Sequence, residues 1–141
     1  MGYTRLVESI ALSDLESGST FSFEKPLPII LTESAAFFQN EQIYIAGGFN
    51  HSRYSDFGRE EVFIYGTEGH HQVVGALPNG RRMHSVATLN KKTLILGDYD
   101  ARPESKALLF ENGETSEYRL TGYDPNALMA ATTVCFPVPI F

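Results

Sequence analysis

The sequence predicts an all-β chain built from repeated four-stranded antiparallel sheets. Three observations carry this: short segments that alternate polar and apolar side chains, turn residues that punctuate them, and a stretch that overlies another at a constant offset. The alternation is clearest in Gln42-Ile43-Tyr44-Ile45-Ala46, which runs directly into Gly47-Gly48. Two glycines closing a strand mark a backbone that takes positive φ or lies hard against a neighbour.

The repeat emerges when "SAAFFQNEQIYIAGG" (34–48) is laid over "HSVATLNKKTLILGD" (84–98), an offset of 50 residues. Asn40 then meets Asn90, Ile45 meets Ile95 and Gly47 meets Gly97. The same offset brings "KPLP", ending at Pro28, onto "GALP", ending at Pro78. Downstream it shortens to 45, where "VFIYGTEG" (62–69) meets "ALLFENGE" (107–114), so the first copy carries the longer insertion. Insertions in repeat proteins fall in loops.

Taken in order, the first full copy offers strands at Ser34 to Phe38, Gln42 to Ala46, Val62 to Tyr65 and Gln72 to Gly75. The second offers His84 to Leu89, Thr93 to Leu96, Ala107 to Phe110 and Glu117 to Leu120. "SAAFF" alone is compatible with a helix start, but its counterpart "HSVATL" contains β-branched residues and selects a strand. Before the first copy, Ile10 to Leu12 and Thr20 to Phe23 match the second half of a repeat. After the second, "LMAATTVCF" (128–136) matches the opening strand of another. One repeat region over 1–141 results, with a half unit at 9–28, full units at 29–78 and 79–125, and a partial unit at 126–141.

This pattern is similar to the kelch family of β-propellers, in which each four-stranded unit is one blade. The resemblance rests on the period, on Gly47-Gly48, on Tyr65 with Phe110 in its place in the next copy, on Leu77-Pro78, and on Arg81-Arg82-Met83-His84-Ser85. It covers the chain from about Ser9 to Phe136. The second copy departs from it with Gly97-Asp98, and the family's fourth-strand tryptophan has no counterpart; Phe21, Phe23, Val74 and Tyr118 stand as its replacements. The resemblance implies structural roles for Gly47, Gly48, Tyr65 and Gly97, and a structural hydrogen bond from His84 on the innermost strand. It also implies an incomplete propeller, because two full copies and two partial ones fall short of the roughly four to eight blades of a closed ring. The closing "CFPVPIF" places Pro137 and Pro139 where a second strand would form, and proline cannot donate to a ladder. Strand edges and apolar faces left open in this way favour pairing with another chain or aggregation, so the expectation is a fragment or shortened product of a longer kelch protein, or else a chain that self-associates with further copies through its open edges.

Antiparallel connectivity sends the loops between second and third strands, and those joining successive blades, to one face. The long loops collect there: "GFNHSRYSDFGREE" (48–61), "DYDARPES" (98–105), "PNGRRM" and "TGYDPNA". Structureless loops of a dozen residues are frequently functional, and arginine and aromatic residues are enriched in interface hot spots. The expected partner-binding rim therefore comprises Arg53, Tyr54, Asp56, Phe57, Arg59, Arg81, Arg82, Tyr99, Asp100, Arg102 and Tyr123. Arg81 and Arg82 suit bidentate recognition of a carboxylate, or else pack between blades.

Composition narrows the functional classes. A net charge of −6, from 17 acidic and 11 basic residues, gives no basic footprint for nucleic acid or an anionic membrane. No apolar run reaches the roughly 20 residues of a membrane span, and "MGYTRL" fails the myristoylation pattern at Leu6. The single cysteine, Cys135, precludes an intrachain disulfide and suits a reducing, cytoplasmic setting. Asn50-His51-Ser52 has the form of a glycosylation acceptor and suits an extracellular one. Neighbouring residues on a strand face opposite ways, so His70-His71 is no metal site by itself. Neither paired carboxylates nor an activated nucleophile stands out, and no cofactor or metal is expected. The resulting expectation is a non-enzymatic protein-interaction module or scaffold. The alternatives are part of a kelch-like propeller enzyme, an oxidase or a sugar epimerase, and an extracellular carbohydrate-binding or receptor segment; a lone cysteine argues against the copper-radical oxidases of that kind.

Overall fold

The computed structural model describes residues 5–9, 21–50, 58–66, 71–99 and 106–122. Within them the chain is all-β, with no helix. A two-stranded ribbon, β1 (Glu8–Ser9) with β2 (Ser22–Phe23), precedes two four-stranded antiparallel sheets. The first sheet is β3 (Ala35–Gln39), β4 (Gln42–Ala46), β5 (Arg59–Tyr65) and β6 (His71–Arg81), in that spatial order. The second is β7 (Ser85–Leu89), β8 (Lys92–Leu96), β9 (Leu108–Glu111) and β10 (Glu114–Glu117), connected in the same way.

The repeat is written into the backbone. Asn40 and Glu41 between β3 and β4 have φ of 48° and 61°, and Asn90 and Lys91 between β7 and β8 have 50° and 63°. Two consecutive positive φ values belong to the two-residue turn whose twist matches that of the flanking strands, and asparagine tolerates that region better than most residues. Asn112-Gly113, at 53° and 86°, closes β9 onto β10 in the same fashion. Because that turn is so tight, the last strand resumes at Glu114. The expected Glu117 to Leu120 strand is thus displaced towards the N-terminus, with only Glu117 shared, although the Tyr118 N–H still donates to the Ala107 carbonyl at 2.7 Å.

Further corrections concern boundaries. β5 starts at Arg59, and β6 runs on to Arg81, so Pro78 to Arg81 belong to a strand instead of an interblade loop. Pairing steps from Glu61↔Ala76 to Arg59↔Arg81, which leaves Leu77 to Gly80 as an irregularity. Proline cannot donate to the ladder, and such an irregularity is where a strand tolerates it. The N-terminal ribbon pairs Glu8 with Phe23 and Ser9 with Ser22. The expected Ile10 to Leu12 strand, Thr20, and the partial unit at 126–141 lie outside the described residues.

Register determines how the sheets stack. Phe37↔Tyr44 and Ala46↔Val62 are cross-strand pairs, so their side chains share the face turned to the second sheet. Val86, Ile95 and Leu108 lie side by side in the second sheet and meet that face, together with Phe110 and with Leu77 from β6. Phe110 touches Phe37 and Tyr44 edge-on, at ring separations of 5.4 and 5.3 Å, while those two rings stack at 5.2 Å. Each such aromatic pair adds about 1 kcal/mol to the contribution of burial. A second cluster repeats the arrangement one step earlier, with Ile45, Phe63 and Tyr65 packing against Leu31, Leu27, Ile29 and Val7. Ile45, Phe63 and Tyr65 occupy the repeat positions of Ile95, Leu108 and Phe110.

Gly47 marks where the blade is tightest. Its φ is 60°, and a Cβ there would lie 2.6 Å from the Arg81 carbonyl oxygen and 2.9 Å from His84 Cε1. Gly113 also has positive φ, yet its nearest neighbour would be 3.4 Å away. Gly47→Ala should therefore cost about 3–5 kcal/mol, from backbone strain and overpacking together. Gly113→Ala should cost about 1–2 kcal/mol, from strain alone. Urea denaturation of the two variants measures the difference; equal losses would contradict the crowding at Gly47.

Candidate functional site: an arginine between two aromatic rings

The exit of each second strand pairs with the connection entering its own sheet. Thr32 and Phe49 exchange backbone hydrogen bonds of 3.0 and 2.7 Å, and one repeat later the Tyr99 N–H donates to the Arg82 carbonyl at 2.9 Å. Glu33 and Met83, the residues that follow Thr32 and Arg82, both adopt positive φ. The fold thus sets Phe49 and Tyr99 at equivalent places in successive blades, on the face that carries the long loops. Arg82 fills the space between them. Its guanidinium carbon lies 4.2 Å from the Tyr99 ring centre and 5.1 Å from that of Phe49. Glu33 approaches it at 3.7 Å, and the Arg82 N–H reaches Asp98 Oδ1 at 3.4 Å. A planar cation over an aromatic face is attracted by the ring quadrupole, most strongly where water is thin. The Arg82 side chain is only 19% exposed, while Tyr99 is 46% exposed and presents its ring outward.

Arg81 behaves differently from its neighbour. It is wholly buried, and its guanidinium donates to the Gly97 carbonyl at 3.2 Å and to the Lys106 carbonyl. Its own carbonyl accepts the Gly48 N–H at 2.7 Å. Its backbone therefore closes the first blade while its side chain grips the second. A buried charge is tolerated only with such partners. The expectation of Arg81 as a rim residue is corrected: it packs between blades.

His84 sits beneath this cluster, 6% exposed. Burial, with the Arg81 charge acting in the same sense, pushes its imidazole from the usual 6.5 down to about 4; Asp98 and the Ala46 carbonyl oppose this more weakly. Asp98 is fully buried where the first blade has Gly48, so the departure from a second diglycine supplies a carboxylate to the Arg82 backbone.

The remaining expected residues separate into two groups. Arg59 is the first residue of β5, paired across the sheet with Arg81; its guanidinium bridges Glu61 at 2.5 Å, which turns it into the strand instead of the loop. Tyr65 is buried, and its hydroxyl donates to the Lys25 carbonyl at 2.6 Å, tying the blade to the preceding ribbon. Gly97 has a φ of 79°. Arg53, Tyr54, Asp56, Phe57, Asp100, Arg102, Tyr123, His70 and Cys135 lie outside the described residues. Asn50, the acceptor of the glycosylation tripeptide, is buried at 7% exposure, whereas glycans attach to surface positions. Phe49 and Glu33 were absent from the expected rim. Phe49 was within reach of the sequence, because the offset of 50 that relates Gly47 to Gly97 also relates Phe49 to Tyr99.

Among the described residues, no group of three or more His, Cys, Asp and Glu side chains is placed to hold a metal ion. No helix among them is long and apolar enough to cross a membrane.

Comparison with known proteins places the fold. No protein-family model matches the chain, and no curated protein matches it. Among solved structures, that of YjhT superimposes with a TM-score of 0.61 at 12% identity. The match covers 87% of this chain and 53% of YjhT's. The architecture is that of a β-propeller whose ring is not closed by the described sheets. At that identity the likeness concerns the fold alone, and the chain spans about half the length of YjhT.

The burial of His84 has a consequence for pH. The unfolded imidazole takes a proton near 6.5, whereas the folded one resists until about 4. Between those values the unfolded state binds more protons, so stability falls as pH falls through the window and is fully present above it. The group's share of that loss is about 3 kcal/mol at most. Denaturation of wild type and His84→Asn at about pH 7 and about pH 4.5 isolates this share from carboxylate titration. The variant should lose less stability than wild type on acidification; equal losses would contradict the assignment.

Proposed function

We propose that this chain is a non-enzymatic, kelch-type interaction module that holds a protein partner against its loop face. The observation that carries the reading is the Phe49–Arg82–Tyr99 stack, assembled from two interstrand loops and one interblade connection. Arg82 is stacked, ion-paired to Glu33 and anchored through its backbone, so its conformation is fixed before any partner arrives. Preorganisation of this kind lowers the entropy cost of binding, and arginine and tyrosine are residue types that dominate interface energetics. The half-exposed Tyr99 offers a rigid ring as an anchor, and both long loops spring from the same face.

Affinity capture followed by mass spectrometry, with wild type and Tyr99→Ala compared side by side, tests the reading. Tyr99 makes mainly surface contacts, so its loss should change stability by no more than about 1 kcal/mol. A protein retained by wild type should be depleted at least about tenfold by the variant, the equivalent of 1.4 kcal/mol. Equal retention by both would remove this face from the binding account.

A further inference from the structure

His84 stands in the connection between β6 and β7, in a place where its polar chemistry is unfinished. It is buried, yet neither Nδ1 nor Nε2 makes a hydrogen bond. A neutral imidazole carries one donor and one acceptor, and leaving both unmatched away from water costs stability. The ring is also boxed in, since a Cβ on Gly47 would lie 2.9 Å from its Cε1. A buried group left in this state calls for an explanation other than packing.

The charged groups around the ring are already engaged. Among the described residues, Arg81 at the end of β6 disfavours a proton on it, and Asp98, two residues beyond β8, favours one. Arg81 commits its guanidinium to the Gly97 and Lys106 carbonyls and its own carbonyl to the Gly48 N–H. Asp98 accepts the Arg82 N–H at 3.4 Å. Glu33 lies against Arg82, and Arg59, paired opposite Arg81, bridges Glu61. A protonated ring has two donors and no acceptor, so it needs new partners. Satisfying it through Asp98 draws that carboxylate away from the Arg82 backbone. Met83, between Arg82 and His84, holds a φ of 51°, which a residue other than glycine adopts at a cost. Release of the connection relieves that strain as well.

We propose that His84 is a proton-operated latch: when its imidazole is protonated, the 81–84 connection opens and the Phe49–Arg82–Tyr99 stack comes apart, while both sheets stay folded. The sheets persist because Phe110, which packs on Phe37 and Tyr44, lies at the other end of the second sheet, next to the Asn112-Gly113 turn. The direction follows from linkage. The closed ring takes a proton at about 4 and a released one near 6.5, so the closed form is fully favoured above that window. As pH falls through it, the closed form loses up to about 300-fold against the open one. As regulation of a partner, the latch rests on the interaction reading above; as a property of the stack it does not, and its test uses the chain alone.

Nuclear magnetic resonance on the full chain reads both halves of the latch. The Arg82 side-chain hydrogens, held between two rings, should be shielded at about pH 7 and return to the shifts of a solvated arginine on acidification. The ring hydrogens of His84 should titrate with the same midpoint, between about 4 and 6.5, while the methyls of Ile95 and Leu108 keep their folded shifts. In His84→Gln, Arg82 should remain shielded throughout; where that variant does not fold, the shared midpoint in wild type decides alone. Arg82 still shielded once His84 is charged, core methyls that collapse at the same midpoint, or a His84→Gln chain that follows wild type would each overturn the proposal.

Discussion

Each four-stranded sheet of this chain is apolar on both faces, so neither sheet is stable alone. In the first sheet, Phe37, Tyr44, Ala46 and Val62 turn one way while Ile45, Phe63 and Tyr65 turn the other. An antiparallel sheet with one solvated face would alternate polar and apolar side chains along each strand. Here the strands are apolar at successive positions, as in Val62-Phe63-Ile64-Tyr65, because both sides are meant to be covered. Stacking follows, and with it the repeated turn geometry, the crowding at Gly47 and the burial of Arg81.

The crowding and the buried arginine are two aspects of one junction. The Arg81 carbonyl accepts a hydrogen bond from Gly48 and occupies the space a Cβ on Gly47 would need, while its guanidinium reaches carbonyls at both ends of the second blade's interstrand loop. The same residue closes one blade and fixes the next, so the orientation of neighbouring blades does not rest on apolar packing alone. Arg82, one residue further, is held at the loop face by that junction. Its place between Phe49 and Tyr99 follows from blade stacking, since those rings belong to different blades.

Much of this was legible in the sequence. The offset of 50 located the hairpins through Asn40 and Asn90, and the bounds expected for Gln42 to Ala46 match β4 in full, although Tyr44, Ile45 and Ala46 are buried at successive positions instead of alternating. The end of β6 was not legible, since Pro78 and Gly80 are ordinary loop residues and are tolerated in a strand only at the irregularity between the Glu61↔Ala76 and Arg59↔Arg81 pairs. Two adjacent arginines gave no sign of which was buried. The repeat itself held the signal, because the offset lays Arg81 over the buried Leu31 and Arg82 over Thr32 in the connection. Glu33 escaped notice because its link to Arg82 depends on a sequence separation that only folding closes.

If stacking is what stabilises both sheets, damage to one must be felt in the other. Phe110 belongs to the second sheet and contacts the first through its ring. Hydrogen–deuterium exchange of the Phe110→Ala variant, resolved by strand, is the most direct measurement. Stabilisation by stacking predicts that amides of β4 and β5 lose protection together with those of β8 and β9. Loss confined to β8 and β9, with β4 and β5 protected as in wild type, would contradict it.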